Sequence, residues 1–530
     1  MNAAGVKMTH REVLEAMSGL LLGLLVAILS STVVSAALPT IISDLHGSQS
    51  SFTWVVTATL LAMTVSTPIW GKLADLFDRK LLVQSALSLY VFGSILAGFA
   101  QSTSWLIGCR VIQGLGVGGL MALVQVVLSD LVSPRERGRY MGYLGSVMAV
   151  GTVGGPLLGG VITDSALGWR WCFFVGVPIA AAAFVVLQRT LHLPERPRRK
   201  VRIDYLGAGL ISAGISALLI WVSLAGHQFD WLSWQTAVLV LGGIALLGAA
   251  VRVEVTRDEP LIPTHLFRER VPVLAAIASA SVGVALFGVA VFLSQYLQIS
   301  RGESPTASGL LTIPMMIGIL ISSTLVGRRI SKTGRYKKFM VTGAVLLTTG
   351  LALMGMLDEH TSLVELGVFM ALVGLGVGMV MQNLVLVVQN AVPLEDIGAA
   401  SALITFSRSL GGATGVSVLG AILGSRASSQ IADGLAAQGI STGAVGGGTT
   451  SIPDVNSLPG PVLAVVQHAY ASGTAEIFMV AAPLTLVALI AIALLPEVPL
   501  GTRSGSERLA EDRAGEAEAE PVPPAAPVPA

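Results

Sequence analysis

Residues 142–160 read GYLGSVMAVGTVGGPLLGG. No charged side chain interrupts the stretch, and glycines fall along it at set intervals. Gly151, Gly155 and Gly159 are four residues apart, which puts them on one face of a helix. A face without side chains lets a second helix approach backbone to backbone, as helices do inside a membrane. Pro156 follows Gly155, removes one backbone donor and bends the helix at a defined point. Gly142 opens the pattern and Gly160 closes it.

Composition widens this from one helix to the chain. Of 530 residues, 53% are hydrophobic and 12% charged, against about 25% charged in a soluble domain. So few polar side chains could not cover the surface of soluble domains. A net charge of +1 gives no electrostatic case for a nucleic-acid partner. Cys109 and Cys172 sit in or beside apolar runs and read as small core residues, not as a disulfide or a metal site. The P-loop pattern is missing and no segment is large enough for a nucleotide-binding domain, so neither a nucleotide nor any other cofactor is implied.

Apolar stretches long enough to cross a hydrocarbon core, about 20 residues each, number fourteen: 16–38, 53–71, 81–100, 104–129, 140–162, 172–190, 205–226, 235–255, 272–297, 306–327, 338–357, 363–389, 398–423 and 475–496. The expected fold is therefore an all-α integral membrane protein. Lys and Arg crowd the loops on one side, from Lys72–Lys80 through Arg135–Arg139, Arg196–Arg202 and Arg328–Lys338, while the other side holds Arg170, Arg301 and Arg426. That asymmetry places the N-terminus, and with an even span count the C-terminus, in the cytoplasm. The N-terminal segment reads as a cytoplasmic start without a cleavable signal.

Gly71–Lys80 recurs weakly at Gly327–Arg335, and Gly155 and Gly159 recur as Gly411 and Gly415, all at an offset of 256. One offset at two loci argues for a duplicated six-helix half. The expected organisation is a six-helix bundle over 1–200, two inserted helices over 201–258, and a second bundle over 259–500. A long, mostly irregular external loop is expected over 424–474, with a short amphipathic helix near 460–470. Residues 501–530, rich in Glu, Ala and Pro, read as a disordered cytoplasmic tail.

The spacing G-x8-G-x3-G-P-x2-G-G in residues 142–160 resembles the fifth-helix motif of drug:proton antiporters in the major facilitator superfamily. Gly71-Lys-Leu-Ala-Asp75-Leu-Phe-Asp78-Arg79-Lys80 is similar to that superfamily's gating motif, with Leu76 and Asp78 where the pattern has Arg and Gly. Asp75, Arg79 and Lys80 there form either a latch, with Asp130 as the partner of Arg79, or a basic anchor with a solvated acid. Arg110-Val-Ile-Gln113-Gly114 looks like the family's fourth-helix motif; Arg110 either faces the bundle interior or snorkels outward. Trp169–Pro178 resembles the entry to helix 6 of the fourteen-helix subfamily, with Gly176 in place of Asn. Arg408-Ser-Leu-Gly411-Gly412 is similar to another motif of that subfamily, and Arg408 lies near mid-bilayer, as a substrate or proton group or as a structural hub. The resemblance runs from about residue 15 to 496 and points to the EmrB/QacA-like subfamily. It implies a multi-pass exporter in the plasma membrane that handles lipophilic small molecules, protons and surrounding lipid.

The chain also departs from that pattern. Where the subfamily carries an acid and an asparagine in span 1, this sequence has Ser30 and Ser35, with Thr32 between them. No carboxylate then falls near mid-bilayer, so proton handling is expected among Asp130 and Asp164 with Arg110 and Arg408. Span 12 is polar on one side, with Gln382, Gln389 and Asn390, as a cavity wall or as a helix-to-helix hydrogen-bonding face. Phe292, Gln295, Tyr296, Met315 and Met316 suit an adaptable apolar pocket, or plain packing. With Ser30, Thr32 and Gln113 they complete the expected cavity. The leading function is proton-driven export of varied lipophilic or amphiphilic compounds. A dedicated exporter of an endogenous lipid or secondary metabolite is the alternative, and a channel or membrane enzyme fits least.

Overall fold

The computed structural model describes residues 10–45, 49–132, 134–165, 167–191, 205–225, 229–256, 264–303, 305–393, 396–439, 458–498 and 500. Its helices are α1 (His10–Asp44), α2 (Gln49–Leu76), α3 (Arg79–Gly98), α4 (Thr103–Leu131), α5 (Pro134–Asp164), α6 (Trp171–Phe174), α7 (Gly176–Thr190), α8 (Tyr205–Leu224) and α9 (Trp234–Thr256). They continue as α10 (Arg270–Gln295), α11 (Pro305–Leu311), α12 (Ile313–Thr333), α13 (Lys337–Met354), α14 (Leu363–Ala391), α15 (Ile397–Ala437) and α16 (Gly460–Leu494). The expected all-helical character holds: no strand is present among the described residues. Among the described residues, ten helical segments are long and apolar enough to cross a membrane.

Local chemistry sets the helix ends. Asp78 caps α3 by accepting from the Lys80 and Leu81 amides, at 2.7 and 3.3 Å. Ser362 and Glu365 exchange side-chain and backbone hydrogen bonds as a capping box at the start of α14. Gly334, with φ of 68°, ends α12 in the left-handed conformation that glycine adopts without strain. The span expected as one helix over 306–327 is broken at Thr312, two residues before Pro314. Proline lacks a donor and restricts the residue before it, so the chain restarts as α12.

The expected irregular loop over 424–474 is corrected at both ends. Helix α15 runs on to Ala437 and α16 begins at Gly460, leaving 440–457 outside the described residues. Buried Ala427, Ile431 and Leu435 lie four apart on α15 and pack on Val462, Val466 and Ala469 of α16. An Arg426–Glu476 pair at 2.9 Å ties the two helices further. The polar composition of this stretch concealed that apolar stripe. The tail expected over 501–530 lies outside the described residues.

Apolar cores form among α1–α7 and, separately, among α10–α16. Helices α8 and α9 pack on each other where Gly214 meets Leu247 and Gly243 meets Leu218. Ile211 and Ile215 of α8 join Leu61, Val65 and Ile69 of α2 and Phe406, Leu410 and Ala413 of α15. Cys109 and Cys172 are free and buried.

Candidate functional site

The site grows from α5. Nine residues separate Gly142 from Gly151, two and a half helical turns at 3.6 residues per turn, so the two glycines point to opposite sides. A Cβ on Gly151 would lie 2.9 Å from Ile28 Cγ2, and one on Gly155 would lie 1.9 Å from Thr32 Oγ1 and 2.9 Å from the Thr32 carbonyl carbon. The Thr32 hydroxyl donates to the Gly151 carbonyl at 2.9 Å. Thr32, half-buried, thus takes part in the α1–α5 seam. On the other side, a Cβ on Gly142 would stand 2.9 Å from Thr324 Cα of α12, and Gly145 faces Ser323. Gly159 is buried and its carbonyl accepts from Thr163. Asp75, Pro156, Gly160 and Asp164 sit on their helices, but their side chains and surroundings lie outside the described set.

Beside this contact a buried amide junction joins the N-terminal and C-terminal helices. Gln125 Nε2 of α4 donates to Gln382 Oε1 of α14 at 2.9 Å. Gln382 Nε2 reaches Met148 Sδ of α5 at 3.4 Å. Gln389 Nε2 donates to the Gln125 carbonyl at 3.2 Å and to Ser401 Oγ of α15 at 2.7 Å. Gln382 and Gln389 of span 12 thus make helix-to-helix hydrogen bonds, as one of the two readings open from sequence has it. Gln125 and Ser401 complete the junction and were missed. The signal for Gln125 was its standing alone in the apolar run from Gly114 to Leu128.

At the end that bears the basic loops, Arg79 and Asp130 form a buried ion pair. Arg79 Nε also donates to the Ala74 carbonyl at 2.9 Å. Lys80 Nζ leaves this cluster for the Gln188 carbonyl at 2.9 Å. Gly71 packs on α15, where a Cβ would lie 2.9 Å from the Gly398 carbonyl oxygen. Ser331 of α12 accepts from the Arg139 amide at 3.0 Å and donates to the Glu136 carbonyl at 3.2 Å. The N-terminal and C-terminal helices thus meet closely at this end.

Arg110 is buried, not snorkelling. Its Nε donates to the Val55 carbonyl at 3.4 Å and its Nη1 to Gln113 Oε1 at 3.2 Å, and Gln113 passes a bond to Ser94 Oγ at 2.8 Å. The Tyr90 hydroxyl lies beside Ser30, Ser94 and Arg110, yet its alignment completes a hydrogen bond with neither serine. A Cβ on Gly176 would lie 3.1 Å from that hydroxyl and 3.8 Å from Ser30 Cβ. Ser30 and Gly176, two departures from the family pattern, therefore meet across Tyr90, which the sequence reading did not single out.

Of the remaining expected pocket residues, Phe292, Tyr296, Met315 and Met316 are buried in the apolar core of the C-terminal helices. The Tyr296 hydroxyl donates to the Asp358 carbonyl at 2.7 Å, and Met315 packs its backbone against Gly374. Phe292 faces Gly420, Met316 is core, and Gln295 is half-buried. Arg408 is buried on α15, and its Nη1 has no hydrogen-bond partner among the described residues.

Packing repeats between the two sets of helices. Gly114 and Gly118 of α4 meet the Thr59 and Met63 carbonyls of α2, while Gly374 and Gly378 of α14 meet those of Met315 and Ile319 of α12. The sequence signal is Gly-Leu-Gly-Val-Gly at 114–118 and again at 374–378. It went unread because its offset, 260, differs from the 256 of the other repeats.

A family model described as Major Facilitator Superfamily matches residues 20–204 and 200–416. An uncharacterized MFS-type transporter of Mycobacterium tuberculosis is 37% identical over 483 residues, covering 91% of this chain and 69% of that one. The multidrug transporter protein MdtP of Bacillus subtilis is 33% identical over 420 residues, covering 79% and 76%. The efflux pump FUS6 of Gibberella moniliformis is 33% identical over 403 residues, covering 75% and 71%. Among solved structures, the proton:xylose symporter XylE shares the fold with a TM-score of 0.63 at 15% identity, over 95% of this chain and 100% of that one.

Proposed function

The chain belongs to the Major Facilitator Superfamily and is a multi-pass membrane transporter, and from that premise we propose that it exports lipophilic or amphiphilic compounds by proton antiport. The reading makes 1–200 and 259–500 two pseudo-symmetric six-helix bundles, with α8 and α9 inserted between them. It adds α2, α5, α8 and α15 to the ten apolar spans, for fourteen crossings of the plasma membrane. The basic loops and both termini lie in the cytoplasm.

One observation carries the mechanism: α5 presents Gly151 and Gly155 to α1 of its own bundle and Gly142 and Gly145 to α12 of the other. Backbone contact on one side keeps α5 with its bundle. On the other side the glycines leave a smooth surface that parts when the cytoplasmic end opens. The Arg79–Asp130 pair, with Asp75, acts as the latch of the closed cytoplasmic end. Asp130 and Asp164 are the proton-handling acids, with Arg110 and Arg408 as charges along the path. Kinship to a multidrug transporter supports a broad substrate range. Similarity to efflux pump FUS6 and to an acurin A biosynthesis cluster transporter supports the second reading, a dedicated exporter of one lipid or secondary metabolite.

Dye uptake into everted vesicles, with and without an imposed pH gradient, tests the proposal. Several unrelated amphiphiles should accumulate, and collapse of the gradient should abolish their uptake. Gradient-independent uptake refutes antiport, and uptake of a single compound favours the dedicated exporter.

A further inference from the structure

We propose that the exported molecule is an anionic amphiphile and that Arg408 pairs with its acid group; the inference rests on the export reading above. Arg408 is 6% exposed and its Nη1 is buried without a partner among the described residues. It stands about eleven residues into α15, roughly 16 Å from the basic end at about 1.5 Å per residue. A guanidinium does not shed its charge by losing a proton. Something else must balance it.

Among the described residues no carboxylate is paired with it. No Asp or Glu occurs over 270–302, 305–357, 366–394 or 397–432, which covers α10 to α13, α14 past its first turn and α15 to beyond residue 430. The buried acids of the described structure are already engaged at the basic end, Asp130 by Arg79 and Asp396 by His265 at 2.8 Å. Arg110 differs, because two neutral acceptors hold it among α2–α4.

Arg408 also sits where a substrate must pass. Ser401 accepts from Gln389 of α14, and Arg408 lies seven residues further along the same face of α15. The two helices are antiparallel, so the same step along α14 leads from Gln389 to Gln382, the residue that bonds Gln125 across the seam. Arg408 therefore stands at the level where the two bundles meet. A neutral substrate would leave its charge bare and a cation would add repulsion. A carboxylate or sulfonate accepts two parallel N–H bonds from the guanidinium.

The test uses a matched pair, anilinonaphthalene sulfonate and its uncharged parent phenylnaphthylamine, in everted vesicles holding the full chain, with chain-free vesicles as the blank. The sulfonate should accumulate at least about tenfold faster. Arg408→Gln should erase that preference, read as the ratio of the two uptake rates so that any loss of proton drive common to both compounds cancels, and Arg408→Lys should retain part of it. Equal or faster uptake of the uncharged compound, or an unchanged preference in Arg408→Gln, overturns the anion assignment and leaves the export reading intact. If neither compound accumulates, the export reading fails, and equilibrium dialysis of the sulfonate against purified protein decides the site. Binding that Arg408→Gln lowers at least tenfold supports it; equal binding by both proteins overturns it.

Discussion

Gln382→Leu should shift the balance between the two end states without unfolding the protein. In the closed arrangement Gln125 Nε2 donates to Gln382 Oε1 at 2.9 Å, and both side chains are buried. Leucine keeps most of the volume and removes the acceptor, leaving a buried amide donor unsatisfied at a cost of about 1–3 kcal/mol. When the basic end opens, water reaches Gln125 and that penalty vanishes. The whole cost therefore falls on the closed form, and the open-to-closed ratio should rise about 5- to 150-fold. Gln125 Oε1 already lacks a partner, which places the shift toward the lower end. Spin labels at the exposed positions Leu81 and Arg335 read it as a distance distribution. Cys109 and Cys172 are first replaced to avoid stray labelling. A longer population should grow in Gln382→Leu. A distribution identical to that of the parent protein would refute the view that this amide junction holds the basic end shut.

Two further outcomes follow from α5 and from the opposite end of the molecule. Gly155→Ala sets a Cβ 2.9 Å from the Thr32 backbone, where ordinary contact begins at 3.4 Å, so overpacking should cost about 1–3 kcal/mol and lower the melting temperature. Gly142→Ala, pressed on α12, should instead shift the label distances with a smaller change in melting; equal melting losses would refute the division between the two faces. Acid should loosen the α13–α14 turn. Burial pushes the Glu359 carboxyl up, but the hydrogen bond from His468 at 2.9 Å and the charges of His468 and His360 outweigh it and hold the group below its ordinary 4.5. The Thr361 hydroxyl, against a smaller effect of burial, holds Asp358 below 3.8. Depressed carboxyls add stability that is present above those values and lost as pH falls through the lowered ones. Melting temperature should therefore drop below about pH 4.5, less steeply in Glu359→Gln, and a parallel decline in both proteins would exclude this contact.

The helices were legible because each apolar run has to satisfy its own backbone in lipid, and that leaves a length signature. The glycine face of α5 was legible because four-residue spacing has one geometric meaning. The partners of those faces were not. Nothing local to Gly142 says that it meets Thr324, since nearly two hundred residues separate them. Gln125 carried a signal without an address: a lone amide in an apolar run must bond something, but which helix supplies the acceptor is a matter of tertiary packing. Ser30 and Gly176 looked like two independent departures until Tyr90 placed them side by side. Composition misled once, at 427–437, where serine, glycine and other polar residues outvoted Ala427, Ile431 and Leu435, which are spaced for a helix contact.

The position of α8 has a consequence for where cargo comes from. Two flanks of a seam between bundles border the bilayer, and here α8 lies over the α2–α15 flank through Ile211 and Ile215. On α12, which meets α5 through Gly142 and Gly145, the apolar side chains of Ile317, Ile321 and Leu325 are exposed. On the proposed export of lipophilic compounds, a molecule arriving from the lipid leaflet would meet α8 on one side and the closed glycine contact of α5 with α12 on the other, so entry from the leaflet would wait on the parting of that contact. Uptake by this route would follow the compound's concentration in the leaflet, and within a series of equal charge each added methylene should then favour capture by enriching the reservoir, before any contact with the protein is made.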